Sequence, residues 1–524
     1  MRALCYLLCA VLLAPFAALA ITALAPPDLS GWAAHAVELR AGLWSLLSGL
    51  AAALLAAALG AALAYQVCFF RFPLRRTLER ALVLPLLFPT FALAAIYRDL
   101  LSSSGTLARA GWLPRSLSLD LESGAGFVFV MVIGLFPYAY LLGRLTFVSH
   151  GRAFLELGQS LGLGFARAFT RVLLPLSLPA LLLGAGLVFV ETAGERATAA
   201  LLSVNTGAVV IHELWFARGA PQLAAQLAFA LLLLALVLLG PLARWSGSLR
   251  ARYLVDVAVA EPAPSEEPDA PRRWGWARAT MCLLPVLLGF VVPAASIGYH
   301  FAQTIDFIDL STLFADCLST LLLLATVVLF SLGCALLISA THHATPGVIT
   351  GLVVRWLVVS YMVPATVLAV GGLIVAEQAL FFDPRYGDLS SFVVLAMTLS
   401  ARFVCFLLVP LLLGLSLISR RVVETGAALG LTRPQVFWRL QLPQLRGFIL
   451  LGLLLLVTQA LRETAISDVL HPFSFQTLVV RARAYIDIDL LPESSAWLLA
   501  TALLGLYPLL TIEGLLARRG RARS

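Results

Sequence analysis

The stretch LWSLLSGLAAALLAAALGAALAYQV, Leu43–Val67, decides the fold class. It carries no charged side chain and exceeds the roughly 20 residues a helix needs to cross a bilayer. Leu498–Ile512 comes close to the same requirement. The composition generalises this reading. Of 524 residues, 61% are hydrophobic and only 12% are charged, with a mean hydropathy of +0.96. A water-facing surface needs about 25% charged residues, so most of this surface has to face lipid. The expectation is an all-α polytopic membrane protein.

Apolar runs fall near 3–25, 42–67, 81–101, 124–143, 176–194 and 223–243, and again near 279–299, 312–340, 351–376, 392–417, 445–462 and 495–516. Between them lie clusters of arginine: Arg71, Arg75, Arg76 and Arg80; Arg144, Arg152, Arg167 and Arg171; Arg244 to Arg278; and Arg420 to Arg446. Arg-rich and Arg-poor connections alternate, as the positive-inside rule requires. The net charge of +8 therefore sets orientation, with both termini cytoplasmic, and argues for lipid rather than nucleic acid as the partner. Met1–Ala25 resembles a signal peptide, but its long apolar run and the even helix count favour an uncleaved first helix. The seven cysteines form no CxxC pair and read as small apolar packing residues.

Ser246–Arg278 interrupts the pattern. It contains Glu261-Pro-Ala-Pro-Ser-Glu-Glu-Pro-Asp-Ala-Pro271, an acidic, proline-rich run typical of a linker. It divides the chain into a first membrane domain, 1–245, a cytoplasmic linker, 246–278, and a second membrane domain, 279–524. The two domains look like copies. Glu156 matches Glu424, Gly162 matches Gly430, Pro175 matches Pro443 and Glu195 matches Glu463, each 268 residues apart. Six helices per copy give the repeats the same orientation, and a translocation path is expected where they meet.

The matched positions lie in two Arg-rich loops: Glu156-Leu-Gly-Gln-Ser-Leu-Gly162 running on to Val172-Leu-Leu-Pro175, and Glu424-Thr-Gly-Ala-Ala-Leu-Gly430 running on to Leu440-Gln-Leu-Pro443. Both fit E-x5-G-x9-[ILV]-x-L-P. Residue frequencies allow one such chance match in fewer than about one in a hundred chains of this size. Here the sequence resembles the permease family of ATP-binding-cassette importers, with Leu157-Gly158 and Thr425-Gly426 in place of the alanines of that family's "EAA" loop. The resemblance covers nearly the whole chain. It implies that Glu156, Gly162, Pro175, Glu424, Gly430 and Pro443 build two short helices that dock on two copies of a cytoplasmic ATPase, and that a periplasmic solute-binding protein delivers cargo. A carboxylate suits the start of a short helix, and glycine allows a sharp turn. The apolar residues Leu161, Phe165, Phe169, Leu429, Val436 and Phe437 suit a partner groove. The sequence has no G-x4-GK[ST] loop and no lysine, so ATP is expected to be used by partner subunits, with no cofactor, catalytic group or resident metal on this chain.

For the cargo, Leu84-Pro-Leu-Leu-Phe-Pro89, Phe136-Pro-Tyr-Ala-Tyr-Leu-Leu-Gly-Arg144 and Phe475-Gln-Thr-Leu-Val479 look most like the fused ferric-ion permeases. That resemblance implies iron transport across a bacterial inner membrane. Fused thiamine permeases are the nearest alternative; permeases for phosphonates, polyamines or sulfate are more distant. An ion-coupled secondary transporter is the rival of another class, and would need no ATPase. Intramembrane charge marks function by default. Glu191, Glu195 and Glu463 are expected to line the path for a hard cation, which favours oxygen ligands. The competing reading pairs Glu195 with Arg196 and Arg462 with Glu463 locally. Arg402 and Arg355 lie within apolar spans and are expected to face the bundle interior or snorkel. His212-Glu213 reads as a surface pair and His342-His343 as loop residues.

Overall fold

Each of the twelve apolar segments finds a helix in the computed structural model, which describes residues 2–24, 35–112, 114, 120–160, 162–237, 240, 272–344, 347–378, 387–472 and 474–521. Among the described residues eight helices are long and apolar enough to cross a membrane, and two more spans are bent helix pairs. The remaining two predicted spans, 223–243 and 351–376, coincide with the shorter apolar helices Pro221–Val237 and Ala365–Glu377. No strand occurs among the described residues. Backbone groups in lipid have to be satisfied within the segment, and in a chain of this composition only helices do so. The linker 246–278 lies outside the described residues as far as residue 271.

Prolines explain where the spans bend. Arg75–Leu87 and Thr90–Arg109 meet at 94°, with Phe88 extended and Pro89 capping the second piece. The residue before proline is pushed out of the helical region. The second copy breaks at the equivalent place, where the Ser360–Met362 turn precedes Pro364 and Ala365–Gln378. Elsewhere the helix widens by one residue next to proline: π-turns cover Phe169–Leu173, Leu287–Val291 and Phe437–Gln441. Proline lacks an N–H and crowds the preceding turn, and such a widening re-satisfies the freed groups.

The sequence repeat and the buried cores divide the chain differently. One core joins residues 52–204 of the first copy to residues of Ala279–Ile297 and Leu478–Leu509 from the second. The other joins Leu323–Leu470 of the second copy to Cys5–Leu19 and Val210–Leu232 from the first. The opening and closing spans of each copy thus pack on the opposite copy. Phe16, for example, meets Trp356 edge-on at 5.7 Å.

Close backbone approach secures the crossing. A Cβ added at Gly371 would lie 2.3 Å from the Pro15 carbonyl oxygen, whereas one added at Gly333 meets nothing within 4 Å. Small residues at such contacts are how membrane helices come close. Gly371→Ala is expected to cost about 1–3 kcal/mol by overpacking and Gly333→Ala nothing, read as thermal midpoints in detergent. Equal midpoints for the two variants would remove the crossed contact.

Candidate functional site

The two matched loops share an elbow turn but not the helix before it: Glu424 lies on a separate nine-residue helix, whereas Glu156 lies on a 37-residue continuation of its span in place of the expected short helix. In the first, the Gly124–Ser160 helix ends just before Gly162, which has φ +80°. A short helix, Phe165–Ala168, follows, then the π-turn Phe169–Leu173 and the span Leu174–Gly194. In the second, Arg420–Ala428 ends before Gly430, with φ +74°; Arg433–Val436 and the π-turn Phe437–Gln441 follow. Short helix and π-turn begin and end 268 residues apart in both.

A left-handed glycine after a helix is the usual terminator, because no Cβ opposes positive φ. The second elbow completes that motif: Leu431 N–H donates to the Gly426 carbonyl at 3.0 Å. Gly426 also lets the helices touch, since a Cβ there would lie 2.7 Å from Val436 Cγ2.

The elbows expose Gly162, Pro175, Glu424, Gly430 and Pro443. Glu156 lies on the Gly124–Ser160 helix; its side chain falls outside the described residues, as does Leu161. The apolar face expected to serve a partner is corrected in part. Val436 and Phe437 are buried, while Leu429 is exposed. Phe165 and Phe169 turn inward onto Tyr65, Phe69 and Phe70, with the Tyr65 and Phe169 rings 4.3 Å apart. The exposed face of the second elbow is Arg421, Glu424, Thr425, Ala428 and Leu429.

Where the two cores meet, a cavity of about 40 Å³ is lined by Glu191, Glu195, Tyr361, Arg402, Arg462 and Glu463, among others. Its volume suits about three water molecules. Arg402 is 1% exposed and donates from Nη2 to Glu191 Oε1 at 2.8 Å and from Nη1 to the Val363 carbonyl at 3.0 Å. Its guanidinium also lies 4.8 Å from the centre of the Tyr361 ring, and the Tyr361 hydroxyl donates to Glu191. On the other side, the Tyr138 hydroxyl donates to Gln459 Oε1 at 2.7 Å. Glu191 and Gln459 are equivalent under the 268-residue offset. Both ties cross from one core to the other. Arg402 faces the interior, as one of its two readings had it, and Arg355 is exposed.

Glu195 and Glu463 reach the cavity but serve as helix caps. Glu195 accepts from Thr198 N and Oγ1 at 3.0 and 3.1 Å, and Glu463 from Ile466 N and Ser467 N at 2.9 and 3.2 Å. The expected local pair of Glu195 with Arg196 does not form. Successive residues at a helix start point apart, and Arg196 reaches instead to Asp468 of the other core. Arg483 Nη1 approaches the same carboxylate at 3.4 Å. Arg462 makes no ion pair with Glu463 among the described residues, and its Nε and Nη1 are buried without a hydrogen-bond partner. His212 packs on Phe216 at 4.6 Å and Glu213 pairs with Arg218 at 2.9 Å. Among the described residues no group of three or more His, Cys, Asp or Glu side chains could hold a metal ion.

The capping role has its own signature. A carboxamide still accepts from backbone N–H groups, whereas alanine does not. Glu195→Gln with Glu463→Gln is therefore expected to keep most of the stability, and the double alanine variant to lose about 1–2 kcal/mol per cap in thermal unfolding. If both double variants melt together, the caps carry no stability.

No protein-family model matches the chain. Over 177 residues it is 29% identical to the "Probable sulfate transport system permease protein cysT" of Nephroselmis olivacea. The likeness covers 32% of this chain and 59% of that protein, so the chain spans less than two thirds of the relative's length. It supports the resemblance to importer permeases read from the loops and lends none to the ferric-ion type.

Proposed function

We propose that this chain is the membrane-spanning permease subunit of an importer of the ATP-binding-cassette class. The observation that carries the reading is the duplicated elbow: two exposed turns of the same build, each with a left-handed glycine and a π-turn at matched positions, and each followed by a membrane span. Such a pair suits a partner that is itself duplicated, hence two copies of a cytoplasmic ATPase gripping the surfaces around Glu156 and Glu424. The partial likeness to a sulfate transport permease supports the same class.

In this reading the repeats 1–245 and 279–524 are joined by a cytoplasmic linker, both termini are cytoplasmic, and the membrane is the bacterial inner membrane. A periplasmic binding protein feeds the outer side. Closure of the ATPases on nucleotide moves the elbows, and the elbows switch the cavity between inward- and outward-facing access. The chain performs no covalent chemistry. Its residues divide the labour: Gly162 and Gly430 aim the elbows, Pro175 and Pro443 start the spans behind them, and Glu191, Tyr361 and Arg402 hold the cavity closed until the cores move apart.

The test is co-purification followed by reconstitution. A nucleotide-hydrolysing subunit is expected to copurify with the chain, and vesicles carrying both to accumulate solute only with ATP. Uptake that persists without nucleotide would point back to an ion-coupled carrier.

A further inference from the structure

The 268-residue offset permits an audit of charge around the cavity. Glu195 and Glu463 are identical in the two copies, and each carboxylate is taken up by N–H groups of the short helix it caps. Three other positions differ. Glu191 stands where the second copy has Gln459; Arg402 and Arg462 stand where the first copy has Gly134 and Gly194. Arg402 and Glu191 neutralise one another directly. Of the remaining charged groups, Glu195 and Glu463 are held by their caps, and Arg462 alone makes no contact with a charged partner among the described residues. Its symmetric counterpart cannot carry a side chain, since a Cβ on Gly194 would lie 2.7 Å from the Ala365 backbone nitrogen. The Nε and Nη1 of Arg462 are buried with no partner among the described residues, while the residue lines the cavity.

We infer that Arg462 is the anion-recognising residue of the translocation path, and that the cargo is a small inorganic oxyanion. This rests on the permease reading and adds the class of solute to it. A half-buried guanidinium with two buried, unpartnered nitrogens is a costly arrangement unless something negative visits it, and guanidinium is the side chain best matched to planar or tetrahedral oxygen arrays. A cation would meet the opposite situation. Of the three carboxylates at the cavity, Glu191 is paired with Arg402 through Oε1, and Glu195 and Glu463 are engaged by N–H groups of the helices they cap, so none is without a partner. The volume, about 40 Å³, suits a small ion better than a bulky organic solute.

The experiment is equilibrium binding of radiolabelled inorganic sulfate to the purified full chain in nanodiscs, with phosphate as competitor and trivalent lanthanum as a soluble hard-cation probe, followed by uptake in vesicles containing the partner ATPase. Sulfate is expected to bind wild type, with affinity falling at least tenfold in Arg462→Gln and partly recovered in Arg462→Lys. The lysine variant, together with the melting temperature of each variant, separates loss of charge from loss of fold. Absence of sulfate binding to wild type, equal binding by the glutamine variant, or lanthanum binding that depends on Glu195 and Glu463 in place of sulfate would each overturn the inference. The two readings fail separately. Sulfate binding that depends on Arg462 but is never driven by ATP would sink the coupled importer and leave the anion site. ATP-driven uptake indifferent to Arg462→Gln would sink the anion site alone.

Discussion

Gly430→Val is expected to cut ATP-driven uptake at least tenfold without unfolding the protein. Gly430 has φ +74°, a region that β-branched residues all but avoid. A Cβ there would meet nothing within 4 Å, so the cost is conformational rather than a clash. Backbone strain of this kind is worth about 1–3 kcal/mol, or roughly a 5- to 150-fold shift in the population of the native elbow. The elbow relieves it by losing the bond from Leu431 N–H to the Gly426 carbonyl, which re-aims the face carrying Glu424 and Leu429. The same reasoning applies to Gly162→Val at φ +80°. Gly430→Asn supplies the control, since asparagine tolerates the left-handed region, and should retain most of the uptake. Measured side by side in vesicles with the partner ATPase, valine and asparagine variants of equal activity would mean that the turn does not transmit the stroke.

The largest effect on stability is expected at Arg402. Replacing it by methionine leaves Glu191 half-buried with only the Tyr361 hydroxyl for company. Removing one partner of a buried ion pair typically costs about 3–5 kcal/mol, whereas replacing both by apolar residues is often close to neutral. Arg402→Met alone should therefore lower the thermal midpoint in detergent sharply, and Glu191→Leu combined with Arg402→Met should restore most of it. The double variant also removes a tie between the cores, so the cavity should open more readily and nucleotide hydrolysis should run faster without solute. A double variant no more stable than the single one would show that the pair contributes through something other than mutual neutralisation.

The spans were legible because lipid imposes a length and a composition on any helix crossing it, and all twelve predicted segments hold one. The repeat was legible too, because Glu156, Gly162, Pro175 and Glu195 recur at one offset. Crossed packing left no trace in the sequence, since every span is similarly apolar and nothing marks which neighbour it will bury against. At the cavity, only the charge of Glu191 marks it in the sequence. Tyr138, Tyr361 and Gln459 were missed, although the offset that placed Glu463 opposite Glu195 also places Gln459 opposite Glu191. For Glu195 and Glu463 a carboxylate at a span end reads alike as a path residue and as a helix cap, and only the following helix shows the capping. Sequence adjacency offers Glu195 as the partner of Arg196, whereas its partner, Asp468, comes from the other core. Phe165 and Phe169 have the spacing of a docking face, and spacing cannot tell whether the aromatic residues across from them belong to a partner or to this chain.

The crossed cores have a mechanical corollary. If the cores move apart as proposed, the moving parts are not the two sequence repeats 1–245 and 279–524. Cys5–Leu19 shares a core with Leu323–Leu470, and Leu478–Leu509 shares one with residues 52–204. Asp468 on one body is gripped by Arg196 and Arg483 on the other. Each body is therefore a composite, and the chain passes from one to the other several times. Under the proposed motion every such passage would act as a hinge, and the shortest of these crossings would limit the angle through which the bodies turn.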